Sequence, residues 1–417
     1  MDKNNFKQAK GITLIALVIT ILVLLILAGV SIIMLTGDNG IITNVGKAKE
    51  QTTIEGTKEK VKMEVMGSFD QLGKFNMKIL KENLINNLNL SNEKILDIED
   101  GSIKISIDNI ELIIDKNGEI LESIKPGEVA TETNAVYISK NKKAIIPKGF
   151  KVSAKEGEYN IDNGLVIIGD DGSEFVWIPV NEKLEKIEGT KDEYVEPESF
   201  RKIENQIYKY GGFYVGRYEA SVINQNDIEH VVTQKGKWPK VSITKSEAKK
   251  LSNEYISNQY VQSNLIYGLE WDRILNLLVK QGILNNDDLT NSMKFGNFIN
   301  STFQFFGNYK VYENWNMIEE KESNTKNEKL ASNIEGNGYL IQTGQTEYSK
   351  LYNIYDLAGN VGEWTMEGFR NGINSNIYRG GYCLVNGNNE GIKYRNQGVK
   401  DNWKNEMIGF RICLYLK

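Results

Sequence analysis

The feature that most constrains this chain is a run of 27 uncharged residues, Gly11–Gly37, near its N-terminus. The run is mostly Ile, Leu and Val. As a helix, its Ile12–Leu35 portion spans about 36 Å, enough to cross a hydrocarbon core of about 30 Å with some tilt. A secretory h-region that is cleaved off holds only ~7–15 apolar residues, so this run is too long for that role. Lys3, Lys7 and Lys10 precede it and favour a cytoplasmic N-terminal end. The expectation is a single-pass anchor in the cell membrane with all later residues outside.

Composition removes several function classes. With 417 residues, two or three domains are expected. Fifty basic against 55 acidic residues, a net charge of -5, does not suit a protein that neutralises nucleic-acid phosphates. His230 is the single histidine, which excludes multi-histidine metal sites and leaves a serine-based triad without a nucleophile signature nearby. Cys383 and Cys413 are the two cysteines, too few for a disulfide framework or a four-thiolate metal site. Of the aromatic residues only Phe6, Phe69 and Phe75 precede Tyr137, so the large core belongs to the C-terminal two-thirds.

The run Lys10-Gly11-Ile12-Thr13-Leu14-Ile15, followed by the apolar segment, resembles a type IV prepilin (class III) signal. That resemblance implies cleavage between Gly11 and Ile12 on the cytoplasmic side, with the apolar helix kept. It also implies pilin or secretion-system subunits as partners. The family's glutamate at the fifth mature position is Ala16 here, so the carboxylate that pairs with a neighbouring subunit's N-terminal amine is missing.

Four segments follow from the pattern: the signal and anchor over 1–37, a helical stalk with a small antiparallel sheet over 38–125, a linker with entry strands over 126–160, and a loop-rich domain over 161–417. The expected fold class is α+β. In the stalk, Glu50, Glu55, Glu59 and Glu64 interleave with lysines over Ile41–Leu72, as on a solvated helical face. A second helix is predicted over Met77–Leu88, and period-two alternation predicts strands over Ser102–Ile107 and Asn109–Asp115. Pro126-Gly127 and the polar residues after it mark a joint. Beyond it, Glu174–Pro179 and Gly211–Ala220 read as strands, and Lys245–Tyr255 and Leu269–Lys280 as amphipathic helices.

The segment Asn353-Ile354-Tyr355-Asp356-Leu357-Ala358-Gly359-Asn360-Val361-Gly362-Glu363-Trp364 is close to the hallmark of the formylglycine-generating-enzyme-like (sulfatase-modifying-factor) family. Phe175–Pro179, Tyr214–Ser221, Leu265–Asp272, Arg379-Gly380-Gly381-Tyr382 and Gly409-Phe410-Arg411 resemble further pieces in the family's order. The resemblance covers about 160–417 and leaves Val311–Glu335 as an insertion. It implies a C-type-lectin-like fold, with Asp356, Gly359, Gly362, Trp364, Arg379, Gly380, Gly381, Gly409, Phe410 and Arg411 as structural motif residues. It also implies a structural calcium held by Asn360, Glu363 and the Val361 carbonyl.

The family's oxidase uses two thiols five residues apart to bind copper. Here Cys383 and Cys413 are 30 residues apart, and no histidine is at hand to activate either. We therefore expect no catalytic residue and no copper, with the cysteines as buried apolar residues or a mutual disulfide. Family relatives that use iron need several histidines and are excluded as well. What remains is binding. Between the Arg-Gly-Gly and Gly-Phe-Arg motifs, Asn386, Asn388, Asn389, Tyr394, Asn396, Gln397, Asn402, Trp403 and Asn405 combine rigid rings with adaptable amides, the mixture found in paratopes. The placement also resembles the variable region of retroelement-diversified proteins on this fold. The expected function is an anchored extracellular adhesin or receptor for a glycan or protein. A minor pilin tip and an oxidase with displaced chemistry stand as alternatives.

Overall fold

The computed structural model describes residues 41–417 except 109, 132, 226–227, 332–336, 371, 373–374 and 397. The apolar run and the expected cleavage at Gly11–Ile12 lie outside the described residues, as does Gln397. Among the described residues no helix is long and apolar enough to cross a membrane. The chain divides into two compact units, Met1–Leu96 with Gly101–Ile120, and Asp97–Asp100 with Leu121–Lys417.

In the first unit, Val61 and Val65 of helix Ile41–Met66 are buried with Leu80 and Leu84 of helix Met77–Leu88. A spacing of four puts each pair on one helix face. The second helix starts where the Asn76 side chain accepts from the Lys78 and Ile79 amides, and it ends at Asn89, which is left-handed. Ile103–Ile107 pairs antiparallel with Ile110–Ile114, inside a four-stranded sheet whose order follows the chain. Strand alternation turns Ile103, Ile105 and Ile107 into the same core.

The second unit is built on a six-stranded sheet in the order Val261–Leu265, Ile412–Leu416, Gly212–Gly216, Glu174–Pro179, Val166–Ile168, Lys151–Val152. The chain's last strand therefore lies inside the sheet, antiparallel to both neighbours, and all five of its residues are buried. A strand covered on both faces reads as a continuous apolar run, which is how Ile412–Leu416 is written. Trp177, Tyr214, Trp271 and Trp364 fill the core, and Tyr137, Ile146 and Val152, from the stretch expected as a linker, join it. Helix Gly268–Lys280 presents Trp271, Ile274, Leu275 and Leu278 to that core.

A second, three-stranded sheet carries the motif residues. Gly362–Trp364 runs down its middle, antiparallel to Tyr378–Arg379 and parallel to Ile408–Phe410. Within the segment 311–335, Tyr309–Glu313 and Asn316–Lys321 form a hairpin. Its two turn residues, Asn314 and Trp315, both have positive φ, 48° and 67°. Lys326–Lys329 pairs with Phe303–Phe306. Residues 311–313, 316–321 and 326–329 of the segment expected as an insertion are therefore strand.

Candidate functional site

The small sheet brings the scattered motifs together through buried charge. Arg411 Nε donates to Glu363 Oε1 at 3.1 Å and Oε2 at 3.0 Å, and Nη2 donates to Oε1 at 2.6 Å. The same guanidinium donates to the Gly216 and Tyr355 carbonyls, both at 2.9 Å. Burial pushes the Glu363 carboxyl up and the Arg411 charge pulls it back. Arg379 donates to Asp272 at 2.9 Å and to the Tyr394 carbonyl at 3.0 Å. Arg395 grips Glu367 at 3.0 Å through both carboxylate oxygens and also bonds Asp272. Two guanidiniums thereby fasten the loop 378–396 to helix Gly268–Lys280.

Asn360, left-handed at φ 59°, sits at the centre of a second network. Its Oδ1 accepts from the Asn297 side chain at 3.0 Å and the Ile341 amide at 3.1 Å. Its Nδ2 donates to Glu219 at 2.7 Å, and the Val361 amide donates to the same carboxyl at 3.1 Å. Burial, then the Asp356 and Glu363 charges, hold Glu219 well above the usual carboxylate range. Gly359 has φ 73°, and a Cβ there would run into the Asn297 backbone. Asp356 accepts from Ser349 at 2.6 Å and the Gly344 amide at 2.8 Å.

These bonds decide the fit of a calcium ion. Calcium needs six to eight oxygens free to face it. Both Glu363 oxygens are held by Arg411 and the Asn360 oxygen by two N–H donors, so in this arrangement Asn360, Val361 and Glu363 do not form a calcium shell. Among the described residues no group of three or more His, Cys, Asp or Glu side chains is placed to hold a metal. A cation does occupy one carbonyl cage: the buried Lys329 ammonium donates to the Phe298, Ile299 and Ser301 carbonyls at 2.5, 3.3 and 2.7 Å.

Both thiols are free and buried, Cys413 in the main core and Cys383 in a smaller cluster with Met407 and Leu384. Burial pushes Cys383 up to about 12 and Cys413 well above its ordinary value. Neither offers a thiolate near neutral pH. His230 is exposed on a hairpin strand opposite Ile223.

The residues expected to bind ligand separate into four groups. Asn386, Asn388 and Asn389 are exposed on one loop, where Asn300 bonds Asn386 at 3.0 Å. Asn396 is buried and serves the frame, its Oδ1 accepting from the Tyr378 amide at 2.7 Å. Asn405 is partly exposed and accepts from the Met407 amide, and Asn402 is exposed. Tyr394 and Trp403 do something else. Both pack on Tyr378, Tyr394 with ring centroids 6.4 Å apart and Trp403 stacked at 5.8 Å. Trp403 also meets the edge of buried Trp364 at 5.7 Å. Tyr382 adds to Tyr378 at 6.4 Å, and Trp315 adds to Tyr382 at 6.0 Å.

An aromatic bank thus climbs from the core to the surface. Trp364 is fully buried, Tyr378 nearly so, Tyr382, Tyr394 and Trp403 are partly exposed, and Trp315 is 48% exposed. Sequence reasoning missed Trp315, Tyr378 and Tyr382 as members. Trp315 carried one usable signal, an aromatic in a polar segment with no place in the family's pattern.

No protein-family model and no curated protein matches the chain. Among solved structures, CarF is similar with a TM-score of 0.29 at 12% identity, over 49% of this chain and 87% of that one. The Major Tropism Determinant U1 variant gives 0.26 at 10% identity, over 78% and 83%. Treponema denticola variable protein 1 gives 0.16 at 10% identity, over 75% and 98%. Likenesses this partial carry no argument about fold or function.

Proposed function

We propose that this chain is a membrane-anchored, extracellular recognition protein, with a prepilin-like anchor, a helical stalk and a non-catalytic domain of C-type-lectin-like fold related to the formylglycine-generating enzymes. The observation that carries the reading is the aromatic bank of Tyr378, Tyr382 and Tyr394, on the loop 378–396 that Arg379 and Arg395 immobilise, joined by Trp403 and by Trp315 of the hairpin. Rigid rings on a rigid base lose little freedom when a partner docks, which favours binding. The exposed amides of Asn386, Asn388, Asn389 and Asn402 lie on the same C-terminal loops and supply hydrogen bonds. Two buried thiols pushed to high pKa support a role without catalysis.

Glycan and protein arrays probed with the full chain test the proposal. Capture of a ligand by the parent chain and its loss in Trp403→Ala and Trp315→Ala is the expected result. Capture that survives both changes removes the bank from the site. Absence of any ligand, together with recovery of the chain in purified fibres, replaces recognition with a structural role at a pilus tip.

A further inference from the structure

Residues 181–199 run as a strap between strand Glu174–Pro179 and helix Phe200–Tyr210. The strap docks through a short antiparallel pairing, Tyr194 opposite Phe369 and Val195 opposite Gly368. Continuing that register sets Glu196 opposite Glu367, and like charges placed so repel. Gly268 shows how closely the two carboxyls approach: a Cβ there would stand 2.8 Å from Oε1 of Glu196 and 2.8 Å from Oε1 of Glu367. Both therefore crowd the first turn of helix Gly268–Lys280, in room that only a glycine leaves.

The two glutamates differ in their partners. Glu367 is compensated, with Arg395 Nε donating to both its oxygens at 3.0 Å and Arg379 Nη1 3.6 Å away. Among the described residues Glu196 makes no ion pair. Its Oε1 accepts from the Leu269 amide at 2.7 Å, while its Oε2 is buried without a hydrogen-bond partner. The helix adds Glu270, whose Oε2 is taken by the Tyr267 amide, and Asp272, which Arg379 and Arg395 share. Lys245 is the cation on the remaining side, and its ammonium is spent on the Met366 and Glu367 carbonyls at 3.2 and 2.7 Å. The Leu269 amide and the helix N-terminus favour an ionised Glu196. Burial and the neighbouring Glu367 charge outweigh them and hold Glu196 well above the usual carboxylate range.

We propose that Glu196 is a proton-operated latch: protonated, it lets the strap seal against Gly368–Phe369, and ionised, its proton gone to solvent, it drives the strap off. The latch reaches the loop 378–396 through Arg395. The strap's Thr190 accepts from Arg395 Nη1 at 3.1 Å, and the same guanidinium lies 5.4 Å from the centre of the Tyr194 ring. Opening withdraws both contacts from the arginine that fastens the loop. The sign follows from linkage. A carboxyl raised in the folded chain contributes closure that is complete below its unfolded value of about 4.5 and is lost as pH rises through its folded value. Lys245, which burial brings down to about 8, loses its charge on the alkaline side and so adds to the release.

The test follows amide hydrogen exchange of the full chain between about pH 6 and about pH 9, corrected for the intrinsic rate at each pH. Protection of residues 190–199 should fall at least tenfold as pH rises, while that of strand Ile412–Leu416 holds. Glu196→Gln, neutral at every pH, should keep the strap protected throughout. It should also lack a protonated-carboxyl infrared band that the parent chain shows at neutral pH. Thermal unfolding checks that the variant folds, and the parent's own pH series decides without it. Constant protection in the parent chain overturns the latch, as does an equal fall in Glu196→Gln or an infrared band that the substitution leaves in place.

Discussion

Arg411 holds Glu363 through three hydrogen bonds across a sequence separation of 48 residues, with both side chains fully buried. This pair joins the central strand of the small sheet to the end of its parallel neighbour, immediately before the final strand of the large sheet. Removing one partner leaves the other charge buried and alone, which costs roughly 3–5 kcal/mol. Glu363→Ala and Arg411→Met should each lose about that much in denaturant unfolding. The double variant should lose markedly less than their sum, and additive losses would mean the pair is not coupled.

Chelation tests the site from another side. The oxygens of Glu363 and Asn360 already accept from Arg411, Asn297 and Ile341. A chelator should therefore leave the unfolding temperature unchanged. A drop that added calcium reverses would show the loop to be rearranged around an ion.

Glu270 predicts a pH dependence with a definite sign. Burial raises its carboxyl from 4.5 to about 7, and it accepts from the Tyr415 hydroxyl and the Tyr267 amide, both at 2.9 Å. A folded-state pKa above the unfolded one means the folded chain binds the proton more tightly. The stability this contributes is complete below about 4.5 and is lost as pH rises through about 7. Glu270→Gln should flatten that slope in unfolding measured between those limits. A slope that persists assigns it to another group.

The buried thiols predict silence. A thiol reagent should leave Cys383 and Cys413 untouched in the folded chain and label both in denaturant. Rapid labelling of either without denaturant would reopen thiol chemistry.

Lys329 acts as an internal cation for the Phe298, Ile299 and Ser301 carbonyls. Lys329→Met strands these acceptors and should cost about 1–3 kcal/mol. Methylammonium should restore part of the loss in Lys329→Ala but not in Lys329→Met, where the cage is filled. No rescue in either variant would show that the carbonyls do not need the charge.

Much of the local structure was legible because it depends on short-range patterns. Helix Met77–Leu88 has the bounds its apolar spacing implies, and strand Glu174–Pro179 is equally plain. The expected strand Gly211–Ala220 stops at Gly216, where the chain turns so that Arg217 reaches Glu158 and Glu174. Those partners lie 59 and 43 residues away, beyond any local pattern. The ligand-binding candidates show the same division. Tyr394 and Trp403 join the aromatic bank, whereas Asn396 is a buried strut, because composition records which side chains are present and not which way they face.

What the sequence determined alone was the inventory: a long uncharged run at the start, one histidine and two distant cysteines. Each follows from residue identity or from a pattern spanning a few turns. What only the tertiary structure decided was pairing. Arg411 engages Glu363, so that carboxylate is spent on the frame, while Arg379 and Arg395 share Asp272. Such choices rest on distances of a few ångströms between residues far apart in the chain, and charge interactions in a desolvated interior depend on those distances above all.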